Sequence, residues 1–107
     1  LGANFAAPVA INELFSNMGD ADPSPTPDER ILLFASGRTL VGTDGGNLWY
    51  ATRSISTGTF GQPQPVPNVN SNANEGDPHL SADGCRIYFA REGSGTSWDI
   101  YVATAMP

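Results

Sequence analysis

Two stretches of this 107-residue chain are copies of one another. Residues 20–52 read DADPSPTPDERILLFASGRTLVGTDGGNLWYAT, and residues 75–104 read EGDPHLSADGCRIYFAREGSGTSWDIYVAT. Asp22-Pro23 falls on Asp77-Pro78, Asp28 on Asp83, and Leu33-Phe34-Ala35 on Tyr88-Phe89-Ala90, all 55 positions apart. Phe5 and Phe60 keep the same offset, as do Pro8 and Pro63. Further on, Leu48-Trp49-Tyr50-Ala51-Thr52 matches Ile100-Tyr101-Val102-Ala103-Thr104 at an offset of 52, so the second copy is shorter in one loop. Loops are where a repeat tolerates a change of length. Such a chain must build one supersecondary unit twice and bury a face of each copy against a neighbour.

The unit is made of strands. No window sustains the three-and-four apolar spacing of a helix. The one helix-like stretch, residues 6–18, is interrupted by Pro8, Asn12 and Asn17. Glycine (12) and proline (9) are frequent, which suits short strands and many turns. Residues 5–11 alternate as Phe5, Ala7, Val9 and Ile11 and read as a strand, which Pro8 confines to a sheet edge. Residues 60–66, with Pro63 and Pro65, read the same way. Asn-rich loops then lead to short strands opened by Asp22-Pro23 and Asp77-Pro78. Hairpin turns follow at Asp28 and at Asp83-Gly84. Glu29 stands where the second copy has Gly84, which predicts a looser turn or one of another type. Residues 31–35 and 87–90 are apolar on both faces and should be covered on both. Polar, glycine-rich loops at 38–47 and 92–97 precede the last strands, 48–52 and 100–104, with Asn47 and Asp99 at their entrances.

These residues resemble the TolB-type, WD-like β-propeller repeat. Pro78-His79-Leu80-Ser81-Ala82-Asp83-Gly84 looks like its Pro-Ser strand and Asp-Gly turn, Ile87-Tyr88-Phe89-Ala90 like its apolar strand, and Asp99-Ile100-Tyr101-Val102 like its closing strand. The first copy follows as Pro23-Ser24-Pro25-Thr26-Pro27-Asp28, Leu33-Phe34-Ala35-Ser36 and Asn47-Leu48-Trp49-Tyr50, departing at Glu29 and Asn47. The resemblance implies an all-β fold of two four-stranded antiparallel propeller blades in a single segment, residues 1–107, with repeat one at 4–58 and repeat two at 59–105. It is nearly silent on function.

Two blades cannot close a ring of the usual four to eight. Residues 60–66 can complete the first blade beside residues 48–52, which leaves the second blade without an outer strand and residues 5–11 without a blade. The expected solution is a homo-oligomer in which the N-terminal strand of one chain completes the last blade of the next, a larger propeller built by strand exchange. A trimer is favoured over a tetramer because the family it resembles is commonly six-bladed. The alternative is a fragment of a longer chain, and the start without Met reads as a processed chain or an excised piece.

Composition narrows the function classes. Five arginines and no lysine face eleven Asp and Glu, for a formal charge of −6, so there is no basic patch for nucleic acid. No run of eighteen apolar residues predicts membrane insertion, and no signal peptide is read at the N-terminus. Low charge and abundant Asn, Thr, Ser and Gly lean toward an extracytoplasmic or secreted setting. Cys85 is alone and reads as incidental. Asp22, Asp28, Asp77, Asp83, Gly84 and Asp99 read as turn and loop residues. Asp22 and Asp77, with Asp20 and Glu75, could offer oxygens to calcium, but no stretch has the twelve-residue calcium-loop spacing, so no cofactor or metal is expected.

His79, the only histidine, and its counterpart Ser24 fall on the strands that would line a propeller channel. Trp98, in a loop with no counterpart aromatic, is the candidate exposed contact. Ser81 and Asp77 stand two residues either side of His79, a spacing of about 6–7 Å along a strand, too far for a hydrogen-bonded triad. The reading is therefore a non-enzymatic propeller scaffold or binding module, with ligand at the channel or on the loop face. The alternatives are a propeller hydrolase or lyase with an axial site, or a structural or engineered repeat assembly with no ligand.

Overall fold

A computed structural model describes residues 2–43, 45–94 and 97–106. Asp44 and Gly95-Thr96, inside the two glycine-rich loops read from the sequence, lie outside the described residues. Among the described residues, seven strands form two antiparallel sheets. The first holds β1 (Asp20–Pro25), β2 (Ile31–Ser36), β3 (Asn47–Thr52) and β4 (Gln64–Pro65) in that order; the second holds β5 (Glu75–Leu80), β6 (Arg86–Glu92) and β7 (Trp98–Thr104). A 3-10 turn, Asn12–Leu14, precedes β1.

The repeat is visible in local geometry. Register slips between Ala21 and Ser24 and again between Gly76 and His79, so that Asp-Pro stands opposite one residue, Phe34 or Phe89. Both bulges hold their aspartate at positive φ, 56° at Asp22 and 50° at Asp77. The β1–β2 and β5–β6 turns also coincide. Thr26 and Ser81 each donate a side-chain hydroxyl to the aspartate two residues on, at 2.8 Å and 2.6 Å. Asp28 and Asp83 in turn accept the backbone N–H of Arg30 and Cys85. The looser first turn expected from Glu29 is not found. Glu29 adopts φ 60° where Gly84 has φ 74°, and both donate their N–H back across the turn at 2.8 Å. The aspartate bonds fix the turn, and Glu29 carries the left-handed conformation that Gly84 adopts without steric cost.

The sheets pack through Leu33 and Leu48 on one side and Val69, Ile87 and Phe89 on the other. The opposite face of the first sheet buries a second cluster of Leu14, Ala51 and Phe60 against Leu32. The strand β2 is thus covered on both faces, as its composition demands. The edge strands β1 and β5 meet where Asp22 Oδ2 accepts the N–H of its own counterpart, Asp77, at 3.2 Å. Gly76 makes that approach possible, because a Cβ there would lie 2.8 Å from the same oxygen.

This architecture corrects the propeller reading. The two sheets are separate and unequal, of four and three strands, and neither closes nor curls into a propeller arrangement. The expected strand at residues 5–11 is not formed: these residues have no strand partner and are exposed. The reason is positional, since the edge of β3 is already taken by β4. With four strands in one sheet and three in the other, there are not two four-stranded blades, and the preference for three subunits loses its basis. Trp98 is also relocated, from a loop to the first residue of β7, paired with Glu92.

Candidate functional site

The two repeats differ most at their last strands. Along β3, the antiparallel register turns the N–H and C=O groups of Leu48, Tyr50 and Thr52 away from β2. The chain itself satisfies them. Gly61 donates to Thr52 O at 2.8 Å, Gln64 pairs with Tyr50, and Val66 donates to Leu48 O at 3.0 Å. The Asn70 side chain completes the edge, accepting from Leu48 N at 2.7 Å and donating to Leu48 O at 3.0 Å. Phe60 and Pro63 are buried at the start of this segment.

Along β7, the same alternation turns the backbone groups of Ile100, Val102 and Thr104 away from β6. No strand pairs with them among the described residues. Their side chains are bare as well. Ile100 is 78% exposed, while its counterpart Leu48 is 0% exposed. Val102, Tyr101 and Tyr88 are exposed where Tyr50, Trp49 and Leu33 are half-buried or buried. An unpaired, apolar edge of seven residues is the feature that soluble β proteins ordinarily blunt with charge, proline or cover. Here only Asp99 supplies a charge within β7.

A polar clasp stands at the equivalent place in each repeat. In the first, Asp20 accepts from Ser36 Oγ at 2.7 Å and from Arg38 Nη2 at 3.0 Å, and Arg38 also donates to Leu14 O at 2.6 Å. In the second, Glu75 accepts from Arg91 Nε at 2.9 Å and from the Ser71 hydroxyl, and Arg91 donates to Val69 O at 2.6 Å. Each guanidinium lies over two aromatics, Phe34 and Trp49 for Arg38, Phe89 and Tyr101 for Arg91. Partial burial pushes the Asp20 pKa up, but hydrogen bonds from Ser36, the Ser16 amide, Arg38 and the Ser16 hydroxyl outweigh it and pull the value down to about 2. Of the four carboxylates suggested for calcium, Asp20 and Glu75 are held by arginines and Asp22 accepts a backbone amide. Among the described residues, no three or more His, Cys, Asp or Glu side chains come together as a metal site.

The residues singled out in the sequence are dispersed. Ser24 and His79 occupy equivalent register positions on β1 and β5, paired with Leu33 and Tyr88. There is no channel for them to line, because the sheets do not surround an axis. His79 is exposed, and Ser81 donates to Asp83 rather than toward the imidazole. Asp28 and Asp83 are turn residues. The Thr26 and Ser81 hydroxyls, followed by the Arg30 and Cys85 amides, hold their carboxyls below the usual range. Asp22 accepts one backbone amide, and the Asp77 carboxylate has no hydrogen-bond partner among the described residues. Trp98 is 48% exposed and opens the bare edge. Asp99 lies inside β7 opposite Arg91. The sequence already left the second repeat without an outer strand; the exposure of the Ile100, Val102 and Tyr88 side chains beside that edge is what the structure adds.

No protein-family model and no curated protein matches the chain, so the TolB-type resemblance has no support beyond the motifs that suggested it. The propeller scaffold with a channel or axial ligand is withdrawn with it.

Proposed function

We propose that this domain is a self-assembling β module whose second sheet is an interface for another copy of the chain. One observation carries the reading. The same strand position is sealed by hydrogen bonds and buried apolar side chains in the first sheet and stands open in the second. Strand addition to such an edge supplies affinity through main-chain hydrogen bonds and specificity through alternate side chains. A net charge of −6 spread over 107 residues is too small to hold copies apart at physiological salt, where screening acts within about 8 Å.

The test is the solution mass by light scattering across a concentration series, for the natural chain and for Val102→Pro. The substitution removes one outward N–H and leaves the β6 ladder intact. The expected result is a mass that rises above the monomer with concentration, with the midpoint at least about tenfold higher for Val102→Pro, a loss of about 1.4 kcal/mol. A monomer at every concentration up to about 1 mM, where a contact would be worth only about 4 kcal/mol, would overturn the reading.

A further inference from the structure

Resting on that reading, we infer that the occupant of the β7 edge is residues 4–11 of a second copy, laid antiparallel with Val9 opposite Val102 and Ala10 opposite Tyr101. The register follows from the first sheet, where Gln64 pairs with Tyr50 and Pro65 with Trp49. Moving each partner to its repeat equivalent turns Gln64 into Val9, Pro65 into Ala10, Tyr50 into Val102 and Trp49 into Tyr101.

Three observations support this occupant. First, the segment is apolar, uncharged and unused: Phe5 is 78% and Val9 88% exposed, whereas Phe60, the counterpart of Phe5, is 6% exposed. Phe60 is held by Ala51, Leu32 and Leu14. Of their counterparts, Ile87 on β6 and Val69 in the loop before β5 are already buried against Leu33 and Leu48, and Ala103 on β7 is half-buried and offers the matching contact. Second, the segment cannot readily serve its own chain. Leu14 anchors it on the face of the first sheet that carries Leu32 and Ala51, whereas the second sheet packs on the face that carries Leu33 and Leu48. Third, the intrachain junction leaves a matching acceptor. Asp22 accepts the Asp77 N–H within the chain, and the same step repeated would bring the unpartnered Asp77 carboxylate to the Asp22 N–H of the next copy.

Eight residues on an edge fall short of the roughly 800 Å² per partner of a stable interface. The exposed Tyr88, Ile100 and Val102 face adds the remaining contact, since Leu33, Leu48 and Tyr50 are covered in the first sheet by packing against the second. The contact joins different surfaces of the two copies, so it is heterologous and propagates head to tail until a rotation closes it.

The test mixes two single-cysteine chains in a Cys85→Ser background, one bearing Val9→Cys and the other Val102→Cys, under mild oxidation. Both positions are exposed, so both chains should fold. The expected product is a covalent heterodimer formed only in the mixture. In parallel, Phe5→Asp with Val9→Asp should weaken association at least about tenfold. Association that persists in this double variant, with no heterodimer, would overturn the assignment of the occupant and leave the open edge as an interface. Absence of association in the natural chain would overturn both.

Discussion

The two sheets start from the same sequence plan and end in different states. In the first, Phe60, Pro63 and the Asn70 amide close the edge of β3, and Leu48 has no contact with solvent. In the second, equivalent backbone groups have the same orientation and equivalent side chains are apolar, yet Ile100 lies in water. The difference is one of supply rather than of strand chemistry. Among the described residues, the segment 60–66 reaches the edge of β3, whereas its counterpart at 5–11 pairs with no strand. The lesson is that equivalent strands reach different burial according to whether a neighbouring segment covers their edge.

The largest effect should come from removing the closing residue. Phe60→Ala should destabilise the monomer by about 3–5 kcal/mol, read from chemical denaturation. Phe5→Ala should leave dilute-solution stability unchanged and lower only the concentration dependence. Equal effects of the two would break the distinction between a filled and an open edge.

The clasps offer a second contrast. Arg91→Ala strands the fully buried Glu75 carboxylate and should cost about 3 kcal/mol. Arg38→Ala leaves the partly accessible Asp20 with its serine bonds and should cost about 1 kcal/mol. Glu29→Gly relieves a left-handed non-glycine residue and should stabilise by about 1 kcal/mol, whereas Gly84→Ala should destabilise by a similar amount. The smallest effect is with pH. Asp20 is depressed in the folded chain, so its contribution is fully present above its unfolded value of 3.8 and is lost as the pH falls toward about 2. Its accessibility keeps this below about 1 kcal/mol. The Asp20→Asn variant should flatten that part of the acid-unfolding curve.

Much of the local structure was legible because it is written in adjacent residues. The Asp-Gly turn and the strand at residues 31–35, covered on both faces, follow from short-range pattern, whereas the matching strand at residues 87–90 leaves Tyr88 exposed and the edge strand read at residues 60–66 shortens to Gln64–Pro65. The strand at residues 5–11 was misread for the opposite reason. Its alternation is genuine, but a strand exists only where a partner offers hydrogen bonds, and β4 occupies the one its chain could reach. The motifs of the TolB-type resemblance describe a strand-turn-strand unit, which many β folds share, and so carried no information about closure or about a channel at His79 and Ser24. The clasps were half legible. Arg38 and Arg91 stand at strand exits among carboxylates, but their reach to the carbonyls of Leu14 and Val69 depends on the tertiary fold.

The most direct measurement is backbone amide exchange at Ile100, Val102 and Thr104, compared with Leu48 and Tyr50, in dilute and concentrated solutions. Assembly through the open edge predicts that the three β7 amides exchange freely when dilute and become protected with rising concentration, toward the constant protection of Leu48 and Tyr50. Free exchange along β7 at every concentration, with β3 protected throughout, would contradict it.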